Sequence, residues 1–222
     1  MSGIGKKTTN VREHPRHVPV SKKNPLGITI VDQHLRRLPG TFLGPNEIKS
    51  VFKGYDLKNL IYPAKRKLTE YKNADMYDEI IAIWTDYFNK KFKTHPSLSP
   101  DVVKALIGSE SGFDPDPPKN KVALGITQIT KETLKILQDP KGEAKEFIFS
   151  KIRQKDLKNP AIAIPLATRW LFRKRETASS KLKREPNIDE LILEYKGMLK
   201  SKTALKEAAL QSFKEKYDRL RK

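Results

Sequence analysis

Between Ser99 and Gly112 the sequence marks a helix at both ends and then sets a carboxylate on the side that must be buried. Ser99-Pro100-Asp101 supplies a capping hydroxyl, a proline at the first helical position and an acid in the first turn. Val102, Val103, Leu106 and Ile107 follow. Counted back from Glu110, Ile107 lies at i−3, Leu106 at i−4 and Val103 at i−7, spacings that share one helix face. An ionised carboxylate is costly to bury, so the pKa of Glu110 is expected to rise and the group to hold a proton. Beside a chain break that opens onto a cleft, such a group is what general acid catalysis needs. The alternative is a Glu that ends the helix, points outward and pairs with one of the many lysines.

The chain has 222 residues, 37% of them hydrophobic and 32% charged, enough for a real core in one domain or one domain plus an extension. It contains no cysteine, which excludes disulfides and thiolate metal sites. Its four histidines, His14, His17, His34 and His95, form no HExxH-like pair, so no metal centre and no cofactor are expected. The formal charge is +19, of which residues 1–72 carry +10. That field favours polyanions: nucleic acid, acidic membranes or an anionic cell-wall polymer. Charge alone does not choose among them. Met1 to Lys7 precede no apolar run, so no Sec-type signal is expected, and the apolar stretch Ala161 to Ala167 is too short to span a bilayer. The expectation is a protein that works in the cytoplasm or leaves it by another route.

Residues 1–25 read as an irregular arm, and Gly27 to Val31 as one short strand with no obvious partner near the Pro39-Gly40 turn. Asn46 is expected to cap a short helix, and Asp56 to open another through Leu57, Leu60 and Ile61, divided by Pro63. Met76, Ile80, Ile81, Trp84, Tyr87, Phe88 and Phe92 predict a long amphipathic helix over 75–93 with an aromatic core face. After Gly112, the prolines 115, 117 and 118 stiffen a loop, and Val122 to Ile129 reads as an extended or hairpin-like stretch. Thr130 and Asn159 cap the next helices, Asn187 and Glu190 have capping-box spacing, and a basic helix runs from about Thr203 to Arg221.

Four of these segments, in order, resemble the motifs of lytic transglycosylases of the soluble lytic type, relatives of goose-type lysozyme. Glu110-Ser111-Gly112-Phe113-Asp114-Pro115 is similar to the family's E-S-x-F-x-P, and Gly125-Ile126-Thr127-Gln128 falls where the family has G-L-M-Q. The helix from Asn159-Pro160 to Trp170-Leu171 resembles the third motif, with Ala163 and Ala167 at positions of Asn and Gly and Trp170 at a Tyr position. Glu194-Tyr195-Lys196-Gly197 resembles A-Y-N-G/A, with Lys196 in place of Asn. The resemblance spans about residues 98–200.

The resemblance implies a mainly α, lysozyme-like domain with a small hairpin-like region, expected over 74–222, behind a basic N-terminal extension over 1–73. It implies cleavage of the MurNAc–GlcNAc bond of peptidoglycan, with Glu110 as acid and then base and 1,6-anhydro-MurNAc ends as product. It also implies substrate contacts from Ser111, Ile126, Thr127, Gln128 and Tyr195. Ser111 is open to a second reading as helix C-terminal cap, Gln128 as an ordinary hairpin residue, and Tyr195 as a half-buried aromatic. Asp114 or Asp116 would make a hydrolysing muramidase if either lies across the cleft; otherwise they form turns beside prolines. Without a Sec signal, the expected setting is an antibacterial effector exported by a specialised system, acting in the wall of a target cell, with a cognate inhibitor over the cleft and a secretion carrier as partners; release in a phage-type lysis programme is the other exit. The rivals are a lysozyme-like domain that binds glycan without cutting it and a basic nucleic-acid-binding protein; the latter is disfavoured because no RNP, KH, zinc-finger or homeodomain pattern is present.

Overall fold

The computed structural model describes residues 41–117 and 122–222, and the backbone of four short strands before them. Strand β1 (Thr8–Val11) and β2 (His14–His17) fall inside the segment expected to be irregular. β2 pairs antiparallel with β3 (Ile28–Val31), and β1 with β4 (His34–Arg37). Within the expected irregular arm, the described stretches 8–11 and 14–17 are instead extended, as the β-branched Thr8, Thr9 and Val11 favour, and the strand at 28–31 finds its partner upstream. Met1 to Lys7, the Pro39-Gly40 turn and Pro118 lie outside the described residues.

Strand β5 (Thr41–Phe42) leads into α1 (Pro45–Lys53). Gly44, rather than Asn46, is the N-cap, because Pro45 takes the first helical position, where its fixed φ fits and its missing N–H costs nothing. The helix expected from Asp56 does not form. The Asp56 carboxylate instead accepts from the Lys58 amide at 2.9 Å, a local turn that competes with helix, and Ile61 stays exposed. The helix expected over 75–93 begins later: Ala74–Tyr77 is a 3-10 turn with Met76 exposed, and α2 covers Asp78–Phe92.

From there the capping signals hold. Ser99 Oγ accepts from the Asp101 amide at 3.2 Å to start α3 (Pro100–Ser111). Strands β6 (Ala123–Leu124) and β7 (Ile129–Thr130) form an antiparallel hairpin, and Thr130 caps α4 (Lys131–Gln138). Strand β8 (Phe147–Ile148) pairs parallel with β5. A 3-10 turn at Gln154–Lys158 precedes α5 (Pro160–Leu182), capped by Asn159. Asn187 and Glu190 exchange side-chain-to-amide bonds at the start of α6 (Ile188–Tyr195), and α7 (Thr203–Arg221) ends the chain.

The fold is mainly helical, and α5 is its axle, packed against α2 on one side and α6 on the other, while α3 lies between α2 and α7. Ile81, Trp84, Phe88, Ala105, Leu106, Ile164, Leu171 and Phe213 fill the centre, and Leu43, Ile48 and Leu68 join the same core. Burial of each large side chain is worth ~1.5–3 kcal/mol, so this core fixes the direction in which α3 projects its last turn. Lys104 is buried within α3, its ammonium 2.9 Å from the Ala64 carbonyl, 2.6 Å from Asp75 Oδ1 and 2.7 Å from Asp78 Oδ1. Among the described residues no helix is long and apolar enough to cross a membrane.

Candidate active site

The last turn of α3 carries Glu110 and Ser111 to the rim of a cleft of about 690 Å³, with Gln128, Trp170, Tyr195 and Lys196 around it. Gly112, at φ +62°, ends the helix in the left-handed region, and its amide returns to the Gly108 carbonyl at 3.1 Å. The chain therefore leaves the axis one residue after Ser111, and buried Phe113 anchors the departing loop against Tyr71, ring centroids 5.6 Å apart.

The hairpin forms the facing wall. At Gly125, φ is +72° and a Cβ would stand 1.9 Å from the Leu157 carbonyl oxygen, so both the turn and the approach of the 3-10 segment demand glycine. Gln128, itself at φ +48°, lines the cleft and donates from Nε2 to the Gly125 carbonyl at 2.8 Å, closing the turn from its own side chain. Ser111 Oγ donates to the Ile126 carbonyl at 2.7 Å and ties the last turn of α3 to the hairpin. Its role is thus a strut; no hydrogen bond joins it to Glu110 among the described residues.

Lys196 Nζ lies 2.5 Å from Glu110 Oε1, each side chain about one-fifth exposed (21% and 19%). The sequence offered a sheltered carboxyl or one paired with a lysine, and the site combines them: Glu110 lies in a cleft and still carries a cationic partner. Lys196 caps α6, where a cation also meets the negative end of the helix. Tyr195 lines the same cleft, and its phenol is held well above its ordinary pKa by burial first and then by the neighbouring Glu110 carboxylate. Among the described residues the side-chain hydrogen bond to Glu110 comes from Lys196 and not from the Tyr195 hydroxyl. In the sequence Lys196 stands out only as a departure from the A-Y-N-G/A pattern, since its partner is 86 residues away.

The implied contacts of Ile126 and Thr127 do not reach the cleft, and of the two readings of Asp114 and Asp116 the turn-forming one is found. Ile126 and Thr127 are buried (0% and 2% exposed) and point away from the cleft lining; Thr127 Oγ1 reaches the Ala163 carbonyl at 3.5 Å. Asp114 and Asp116 also miss the lining. Asp114 accepts from the Asp116 amide at 2.9 Å, and Asp116 is exposed and paired with Lys158 at 2.9 Å. Among the described residues Glu110 is the only carboxylate on the cleft wall, and no group of three or more acids and histidines is placed to hold a metal ion. Trp170, buried in the core at 6% exposure and with Lys174 Nζ 4.1 Å from its ring centroid, also adds an aromatic edge to the cleft.

The family model described as Transglycosylase SLT domain matches residues 86–184, somewhat under half of the chain, from the middle of α2 to just past α5. Glu110, Gln128 and Trp170 fall inside the match, and Tyr195 and Lys196 beyond it. No curated protein and no solved structure matches the chain. A single carboxylate at the end of α3, a hairpin wall held against it and a long buried helix behind agree with the matched family, and residues 86–184 form a transglycosylase SLT domain of the lytic transglycosylase type, a family that acts on peptidoglycan.

Proposed function

We propose that the chain cuts the MurNAc–GlcNAc bond of peptidoglycan without water, with Glu110 as the one catalytic carboxyl. The observation that carries this reading is the cleft wall, where Glu110 faces Gln128, Tyr195 and Lys196 and has no second carboxylate across from it among the described residues. Protonated Glu110 gives its proton to the glycosidic oxygen as the C1–O bond breaks. The C6 hydroxyl oxygen of the same MurNAc then bonds to C1, and its proton passes to the Glu110 carboxylate, closing the 1,6-anhydro ring and restoring the acid. Between these steps the carboxylate is anionic, and the Lys196 ammonium stabilises it in a half-closed cleft. Gln128, with its amide committed on one side to Gly125, keeps its carbonyl oxygen for a sugar hydroxyl or amide.

A hydrolytic muramidase would need a base to activate water, and the placement of Asp114 and Asp116 outside the lining weighs against it. A binding-only domain was suggested by drift in the third and fourth motifs; Ala163 and Ala167 are buried in α5 (0% and 1% exposed) and do not line the cleft, while Lys196 does and pairs with Glu110, which leaves the carboxyl in place for catalysis. The setting we infer is delivery to the wall of a target cell by a specialised export route, with a carrier during transit and an inhibitor filling the cleft in the producer. Release of soluble glycan from purified sacculi tests the activity: Glu110→Gln is expected to lower the rate by about 100-fold or more while leaving the thermal midpoint equal or slightly higher. Unchanged release by that variant would refute the role of Glu110.

A further inference from the structure

A second groove, of about 600 Å³, opens where the 3-10 turn meets the starts of α1 and α5. Lys151, Arg153, Lys155 and Lys158 line it, with Pro45 and Asn159 at its ends. Its carboxylate is Asp156, which holds Arg153, and Asp116 reaches Lys158 from the neighbouring loop. Among the described residues Lys151 and Lys155 are exposed and have no ion-paired carboxylate, so the groove keeps a positive excess. Two features tie it to the active cleft. Asp116 pairs with groove-lining Lys158 while its neighbour Pro117 lines the cleft, so one loop separates the two. Along α5, Ile162 of the groove and Trp170 of the cleft are eight residues apart, about 12 Å of helix. The α1 wall precedes the stretch that matches the family, so this groove is not made by the matched residues alone.

We propose that this groove binds the free carboxylates of a peptide stem on the glycan strand held in the cleft. A strand that seats a MurNAc at Glu110 carries peptide stems at neighbouring MurNAc units, and a basic groove one loop away is placed to take their acidic ends. Unpaired lysine ammoniums attract such carboxylates with little demand on geometry, which suits a flexible peptide. This inference rests on the peptidoglycan reading above and specifies which part of the substrate a second site holds.

Co-sedimentation of the full chain with purified sacculi tests it, in a Glu110→Gln background so that binding is read without cutting. Intact sacculi and sacculi stripped of peptides by an amidase are compared, with and without the pair Lys151→Glu and Lys155→Glu. The Glu110→Gln protein is expected to bind intact sacculi at least fivefold more tightly than stripped ones, and the charge-reversed protein to bind both equally weakly. With Glu110 present, the lysine pair should raise KM on intact sacculi five- to tenfold and leave kcat unchanged. Equal binding to intact and stripped sacculi, or the same loss on both, would overturn the proposal. The neutral pair Lys151→Gln and Lys155→Gln reads the same loss if charge reversal perturbs folding. Absence of any cutting by the native chain would count against the catalytic reading alone, whereas cutting that ignores the peptides would count against the groove.

Discussion

In the proposed reaction Glu110 is left as an anion in a half-closed cleft, and Lys196 is placed to serve as its counter-charge. The ammonium lies 2.5 Å from Glu110 and holds one carboxylate oxygen in place, and on the proposed mechanism it would stabilise the anion between the two proton transfers. Lys196→Met is therefore expected to lower kcat ten- to hundredfold, about 1.4–2.7 kcal/mol of barrier, with a smaller change in KM. Steady-state rates on sacculi check this, and a kcat equal to that of the native chain would show that the pair is incidental. Glu110 was legible from its place on an apolar stripe followed by a glycine stop, because those signals lie within a few residues of it. Its partner was not, because the pair joins residues 86 positions apart and depends on where α6 packs. The same non-locality turned Ile126 and Thr127 inward: position in a motif does not say which way a residue of a four-residue turn points.

The elements divide in the same manner. Ser99, Thr130, Asn159 and Asn187 were readable as caps, since each bond they make lies within three residues along the chain. The segment after Asp56 misled because Leu57, Leu60 and Ile61 are spaced as in a helix, but no surface is there to bury Leu57 and Ile61. Spacing without a partner face does not sustain a short helix. The hairpin shows the reverse case, in which one residue fixes an element from outside it. Gly125→Ala would bring a Cβ within 1.9 Å of the Leu157 carbonyl in a left-handed turn, so the hairpin and the 3-10 segment must separate. The expected cost is ~2–4 kcal/mol in chemical unfolding, with loss of glycan release as Gln128 leaves the cleft. A variant as stable as the native chain would show that this contact is not required.

For the whole molecule, stability and pH are linked through the charge buried under α3. Asp78 is buried beside Lys104, and burial pushes its carboxyl up to about 6, against ~3.9 in an unfolded chain. The native state thus binds that proton more tightly than the unfolded state. Stability from this group is complete below about pH 4 and is lost as pH rises through about 6. Asp78→Asn removes the dependence, so its stability relative to the native chain should improve by on the order of 2 kcal/mol between about pH 4 and pH 7. Urea unfolding at the two pH values measures it, and a constant difference would contradict the assignment. The charge of +19 left several polyanions open, and the match of residues 86–184 to the SLT family narrows them to peptidoglycan. The most direct measurement of that account is mass spectrometry of the muropeptides released from purified sacculi. The account predicts 1,6-anhydro-MurNAc ends with the native chain and none with Glu110→Gln; reducing MurNAc ends would make the enzyme a hydrolase and contradict it.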